Sequence, residues 1–138
     1  MRAGDIVFHK DFVFADGKSA HKFLVILGAS ADRVIAAKTT SNGSRYRLDH
    51  GCQAGSRFPA FLLTQGCCCL PLSTWVCLSD FYELSLVVLQ AKVVAGDVHR
   101  YGVLSPDVAR DVQVCAAGCD DISSNQEAIV RACFVVTT

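Results

Sequence analysis

Arg45-Tyr46-Arg47 sets one aromatic ring between two guanidinium groups, the densest binding chemistry in the chain. Residues 1–57 carry nine Lys/Arg against five Asp, and residues 58–138 carry four against eight acids. A formal net charge of zero therefore hides a positive first half able to meet a polyanion. Eight cysteines are the other reactive groups. At about 6% of residues they are sparser than in disulfide scaffolds, and in a reducing compartment they are expected to stay thiols. On a strand Cys67, Cys68 and Cys69 would point to alternate faces and so not converge on one metal. Cys115 and Cys119 are one helical turn apart, in line with Val108 and Val112, and read as core. No CxxC pair or zinc-type Cys/His spacing occurs, so no metal and no cofactor is expected.

These groups must be positioned by a small body. With 138 residues, 51% of them hydrophobic, the chain can bury a core without crosslinks, and residues 1–138 read as one domain. The apolar stretch Cys67 to Ser79 is broken by Pro71, Ser73 and Thr74, short of the roughly 20 residues of a membrane span. Met1-Arg2-Ala3-Gly4-Asp5 leads into a strand without a signal-peptide core, so a cytoplasmic protein without membrane contact is expected. Strands are expected at Gly4 to Phe14, His21 to Leu27, Arg33 to Thr40, Phe58 to Leu63, around Cys67 to Leu72, at Thr74 to Leu78, Phe81 to Ser85 and His99 to Leu104. Leu86 to Val94 suits a short helix ended by Gly96. Ser105-Pro106-Asp107 starts a helix running to Gly118, with Ser105 as cap, and a capping box of Ser123 or Ser124 with Gln126 or Glu127 starts another burying Ile129, Val130, Cys133 and Phe134. The sum is an α+β domain: a small, strongly curved antiparallel sheet or barrel with helices on one side.

Gly4-Asp5-Ile6-Val7, then Lys22-Phe23-Leu24-Val25-Ile26-Leu27, then Lys38-Thr39-Thr40-Ser41, resembles in order and spacing the MazF/PemK toxin family. The resemblance covers about the first 45 residues; beyond them only the element order agrees. It implies an SH3-like barrel with C-terminal helices, a homodimer, a protein antitoxin as partner, and metal-independent endoribonuclease activity on single-stranded RNA. The family's catalytic arginine and the proline after it fall on Lys22 and Phe23, and its catalytic Thr or Ser falls on Thr39. A lysine does not reproduce the bidentate fork of an arginine, so a catalytically silent module that binds RNA or a protein is the alternative. A thiol-based redox or metal role for Cys67 to Cys69 is a third.

A hairpin turn centred between Ser30 and Ala31 would pair Lys22 with Thr39 on one face, whereas a one-residue slip would pair His21 with Thr39 and send Lys22 to the other. In cleavage by the neighbouring 2′-hydroxyl, Lys22 would stabilise the phosphoryl charge, Thr39 would donate to a nonbridging oxygen, and His21 would move protons, with His9 or His50 as substitutes. Lys10, Lys18, Thr40, Arg45 and Arg47 are the expected contacts to the RNA backbone, with Tyr46 or Phe14 stacking on unpaired bases. Trp75 reads as core or as part of a dimer interface.

Overall fold

The computed structural model describes residues 1–48 and 51–137. Apolar and β-branched residues through the first forty positions form three antiparallel strands, β1 (Asp5–Val13), β2 (Ser19–Ala29) and β3 (Arg33–Thr40). Gly17, at φ 86°, closes the β1–β2 turn by donating to the Phe14 carbonyl at 3.0 Å. Next come β4 (Gly51–Cys52), β5 (Ala60–Leu63), β6 (Thr74–Cys77), β7 (Tyr82–Ser85), α1 (Leu86–Ala95), β8 (Val98–Val103), α2 (Pro106–Ala117) and α3 (Ser124–Ala132). All pairings among the described residues are antiparallel, in the order β4-β5-β6-β3-β2-β1-β8, with β7 also on β3. The path is open: β4 and β8 are its two ends.

The helices obey their end signals. Ser123 and Gln126 form the reciprocal capping box, and Gly96 ends α1 at φ 84°. Ser105 precedes Pro106 but makes no side-chain cap bond, so only the fixed φ of the proline and the charge of Asp107 favour that helix start. Cys67 to Cys69, expected on a strand, lie in bends after the turn at Gly66 that follows β5, where a φ of 89° takes the chain out of the sheet.

The first three strands are covered on both faces. One cluster joins Ile6, Val25, Leu27, Ile35 and Ala37 to Val76 and to α2 and α3 through Val112, Cys115 and Val130. The other joins Val7, Leu24, Ile26, Val34 and Ala36 to Leu89 of α1. The helices thus do not all lie on one side: α1 packs opposite the other two. Leu89 is the one buried residue of α1, and Val87 and Val94 stand 73% and 89% exposed. No helix of the described residues is long and apolar enough to cross a membrane.

Cysteine pairing departs from expectation. Cys52 and Cys115 form a disulfide tying β4 to α2, across a sequence separation of 63 that hides their proximity. Cys115 and Cys119 are buried as expected, but Cys115 is not a thiol.

Gln113 and His9 are among the polar groups buried in these layers. Gln113, 1% exposed, donates to the carbonyls of Leu27 and Cys133 at 2.9 and 2.8 Å and accepts from the Val135 amide at 2.9 Å, clipping the end of α3 to β2 and α2. His9, 4% exposed, lies 2.8 Å from the Lys10 carbonyl through Nδ1 and 3.4 Å from Lys92 Nζ through Nε2. The Nδ1 proton then goes to the carbonyl, and Nε2 accepts from the ammonium. Burial above all holds its pKa below the usual 6.5. Replacing Gln113 with Ala strands three backbone groups and should cost about 3 kcal/mol, read as a lower urea midpoint at unchanged m. Well above pH 6.5 His9 is neutral in both folded and unfolded chains, so stability is insensitive to it there. Below that, the unfolded chain takes up a proton that the folded one resists, so the urea midpoint should fall as pH drops through the unfolded pKa, and fall less in His9→Gln.

Candidate anion-binding hollow

The β2–β3 register decides which side chains meet. Leu24 lies opposite Lys38, Val25 opposite Ala37 and Ile26 opposite Ala36; a bulge then shifts the pairing to Gly28 with Ile35 and Ala29 with Val34. The turn tip, closed by Ser30 N–H to the Arg33 carbonyl at 2.9 Å, lies one residue later than expected, and the bulge displaces the ladder again. Lys22 therefore continues opposite Thr40, not Thr39. Thr39 points to the other face, 4% exposed, and donates its hydroxyl to the Phe23 carbonyl at 2.7 Å. Lys22 and Thr39 nevertheless both line the hollow at this end of the ribbon.

What the register brings together is Lys22, Lys38 and Thr40. They line a hollow of about 220 Å³ with Phe14, Thr39, Asn42, Ser44, Arg45, Tyr46 and Cys77. Both ammonium groups sit over the Phe14 ring, Lys38 Nζ at 4.9 Å and Lys22 Nζ at 5.7 Å from its centroid. The negative ring face holds two like charges close together where water alone would let them part. Asp80, 3.8 Å from Lys38 Nζ, supplies a carboxylate at the side. Three cations line the hollow and, among the described residues, no acid does.

The outer wall is the segment after β3, folded by its own polar groups. Thr40 Oγ1 accepts from the Asn42 amide at 3.1 Å and Asn42 Oδ1 from the Ser44 amide at 3.2 Å, turns that these residue types favour. The Tyr46 ring stacks on Trp75, 6.0 Å between centroids at 20°, and Trp75 Nε1 donates to the Arg47 carbonyl at 2.9 Å. The Gln53 side chain clasps the Arg47 backbone through both its oxygen and its nitrogen. A Cβ added at Gly43 would overlap the Trp75 ring, so the wall fits the indole only with glycine there. Trp75, 5% exposed, is core.

Titrations at the floor oppose base chemistry. Burial, then the contact with Cys77, pushes the Tyr46 phenol well above 10.0, and its oxygen lies 3.4 Å from Cys77 Sγ. Burial likewise raises the Cys77 thiol, although Tyr46, Lys38 and Lys22 pull the other way. Both groups keep their protons at neutral pH. No histidine lines the hollow among the described residues.

Of the remaining expected residues, His21 lines a neighbouring groove with Lys22, Thr39 and Thr40. Its Nδ1 accepts from the Asp11 amide at 3.1 Å and stands 3.7 Å from the Asp11 carboxylate. The others are dispersed. His9 is buried beside α1, and His50 lies outside the described residues. Lys10 pairs its amide with Asp97 and Lys18 with Asp16, and neither lines the hollow. Arg45 and Tyr46 line it, whereas Arg47 contributes backbone to the wall. Phe14 and Tyr46, expected to stack on bases, instead serve as the seat of the lysines and the partner of Trp75. Lys38 escapes a reading by residue type, although it lies two residues before Thr40 and so on the same face of the strand.

Because Trp75 is the sole tryptophan, its fluorescence reports the wall alone. Gly43→Ala should shift its emission to the red and loosen the wall, while Gly55→Ala, where a Cβ meets no neighbour within 4 Å, should leave the spectrum unchanged. Among the described residues no group of three or more His, Cys, Asp or Glu is arranged to hold a metal. No family model and no curated protein sequence matches the chain, so the likeness to MazF/PemK proteins rests on the residues quoted above.

Proposed function

We propose that the chain is a MazF/PemK-like module that binds single-stranded RNA, holding backbone phosphates in the Lys22–Lys38–Arg45 hollow without cutting them. The observation that carries this reading is the seating of two ammonium groups on one phenyl ring, with a guanidinium beside them and no acid among the described lining residues. Such a site favours an anion with several oxygens over a neutral ligand, and phosphodiesters supply them in series. β3 pairs with β2, β6 and β7 and so bends from one ribbon into another, a curvature that supports the barrel-like sheet the resemblance implies. The exposed valines of α1 offer a surface for the second copy or antitoxin that the resemblance implies.

Cleavage is the second reading, as a toxin-like endoribonuclease attacking through the 2′-hydroxyl. Thr39 and Thr40 favour it, since both line the hollow with Lys22, and His21 lines the neighbouring groove with all three. Against it stands the hollow itself, where no histidine is found among the described lining residues and the Tyr46 phenol and Cys77 thiol are both pushed upward. Binding needs no such group.

Fluorescence anisotropy with a labelled single-stranded RNA should show binding that weakens steeply with salt. Lys22→Ala with Lys38→Ala should lower affinity at least about tenfold and reduce the log–log salt slope by about 1.4, roughly 0.7 for each phosphate left without its cation. The RNA should remain full length. Fragments ending in cyclic phosphate would move the conclusion to the nuclease, and no retention at low salt would remove RNA from it.

A further inference from the structure

On the far side of β2 from the hollow, five rings form an uninterrupted surface. Phe8 of β1 pairs with Phe23 of β2 and with His99 of β8. His21 and Tyr101 lie two residues from Phe23 and His99, on the same face. Centroid separations are 5.9 Å for Phe8 and His21, 5.5 Å for Phe8 and Phe23, 5.3 Å for Phe8 and His99, and 4.7 Å for Phe23 and Tyr101. This is the face that carries Ile6 and Val25, roofed there by α2 and α3. Beyond that roof the rings reach water: Tyr101 is 42% exposed and the His21 side chain 56%.

We infer that these rings are a stacking platform for unpaired nucleobases, the complement of the phosphate-holding hollow across the strand. The inference rests on the RNA-binding reading above. Its support is continuity and charge. Lys22, Thr39 and Thr40 line both the hollow and a groove of about 210 Å³ that opens on this side between His21, Phe23, Ser41 and the Leu70–Leu72 segment. A strand crossing this edge would leave phosphates with the lysines and lay bases toward Phe23 and Tyr101. An aromatic surface on a sheet beside a cationic track is how sequence-tolerant single-strand binding is built, because every base has a π-face. Asp11, the carboxylate beside His21, lies at the end of the surface remote from Tyr101.

The test compares two labelled strands of equal length, about twelve nucleotides: a mixed-sequence RNA and an abasic ribose-phosphate strand. Wild type should bind the RNA about tenfold or more tightly than the abasic strand. Tyr101→Ala and His21→Ala should each lower RNA affinity about tenfold and leave abasic binding unchanged, which also reports that the variants are folded. Tyr101→Phe should bind as wild type and Tyr101→Leu as Tyr101→Ala. If Lys38→Ala weakens both strands while Tyr101→Ala alters neither, the platform is refuted and the hollow stands. Equal wild-type affinity for the two strands also refutes the platform. If wild type holds neither strand, both fall.

Discussion

The pairing of Leu24 with Lys38 is the constraint on which the molecule's polarity depends. Three strands are covered on both faces, so a slip of one position in either strand would exchange its buried side chains for their neighbours and send Lys22 and Lys38 to opposite faces. The bulge at Gly28 pins that pairing from the other end. A Cβ at Gly28 would come within 3.2 Å of the Ile129 carbonyl and Val130 Cα, so a side chain there would press α3 away from β2 by a few tenths of an ångström. Gln113 then ties that contact through three bonds. The ladder, the bulge and the helix thus specify one another.

Much of the fold is legible in the sequence because it is written in local signals. The first three strands, α1 with its glycine end, and the capping box of α3 follow from periodicity and end chemistry carried within a few residues of each element. Three features are not. The two-residue β4 has no pattern of its own and exists through Leu62 and Phe61 opposite it. The Cys52–Cys115 bond joins positions that nothing local connects. The bends at Cys67 to Cys69 replace a strand because Gly66 takes a positive φ, which residue types forecast only as a turn.

The candidate site is legible in its residues and not in its arrangement. Lys22, Thr40, Arg45 and Tyr46 stand out by type and spacing, but a simple hairpin count puts Thr39 on the face of Lys22 when it lies on the other. A turn tip one position later, together with a bulge, makes the difference, and neither has a distinctive residue beyond Gly28. The aromatic rings are hidden for a similar reason. His99 and Tyr101 come from β8, distant in sequence from the β1–β2 hairpin that carries Phe8 and Phe23, so only the sheet order reveals all four as neighbours.

Helix α1 bears on how the molecule behaves in concentrated solution. Its sole charge, Lys92, leans on His9, and its valines face water. Thirteen basic side chains balance thirteen acidic ones, with a sequence pI near 6.9. Near neutrality, therefore, no long-range repulsion keeps copies apart, and short-range attraction between aliphatic patches acts unopposed. Solubility should pass through a minimum close to the isoelectric point and recover on either side of it, with the exposed valines of α1 supplying the attraction that the balanced charge leaves unopposed.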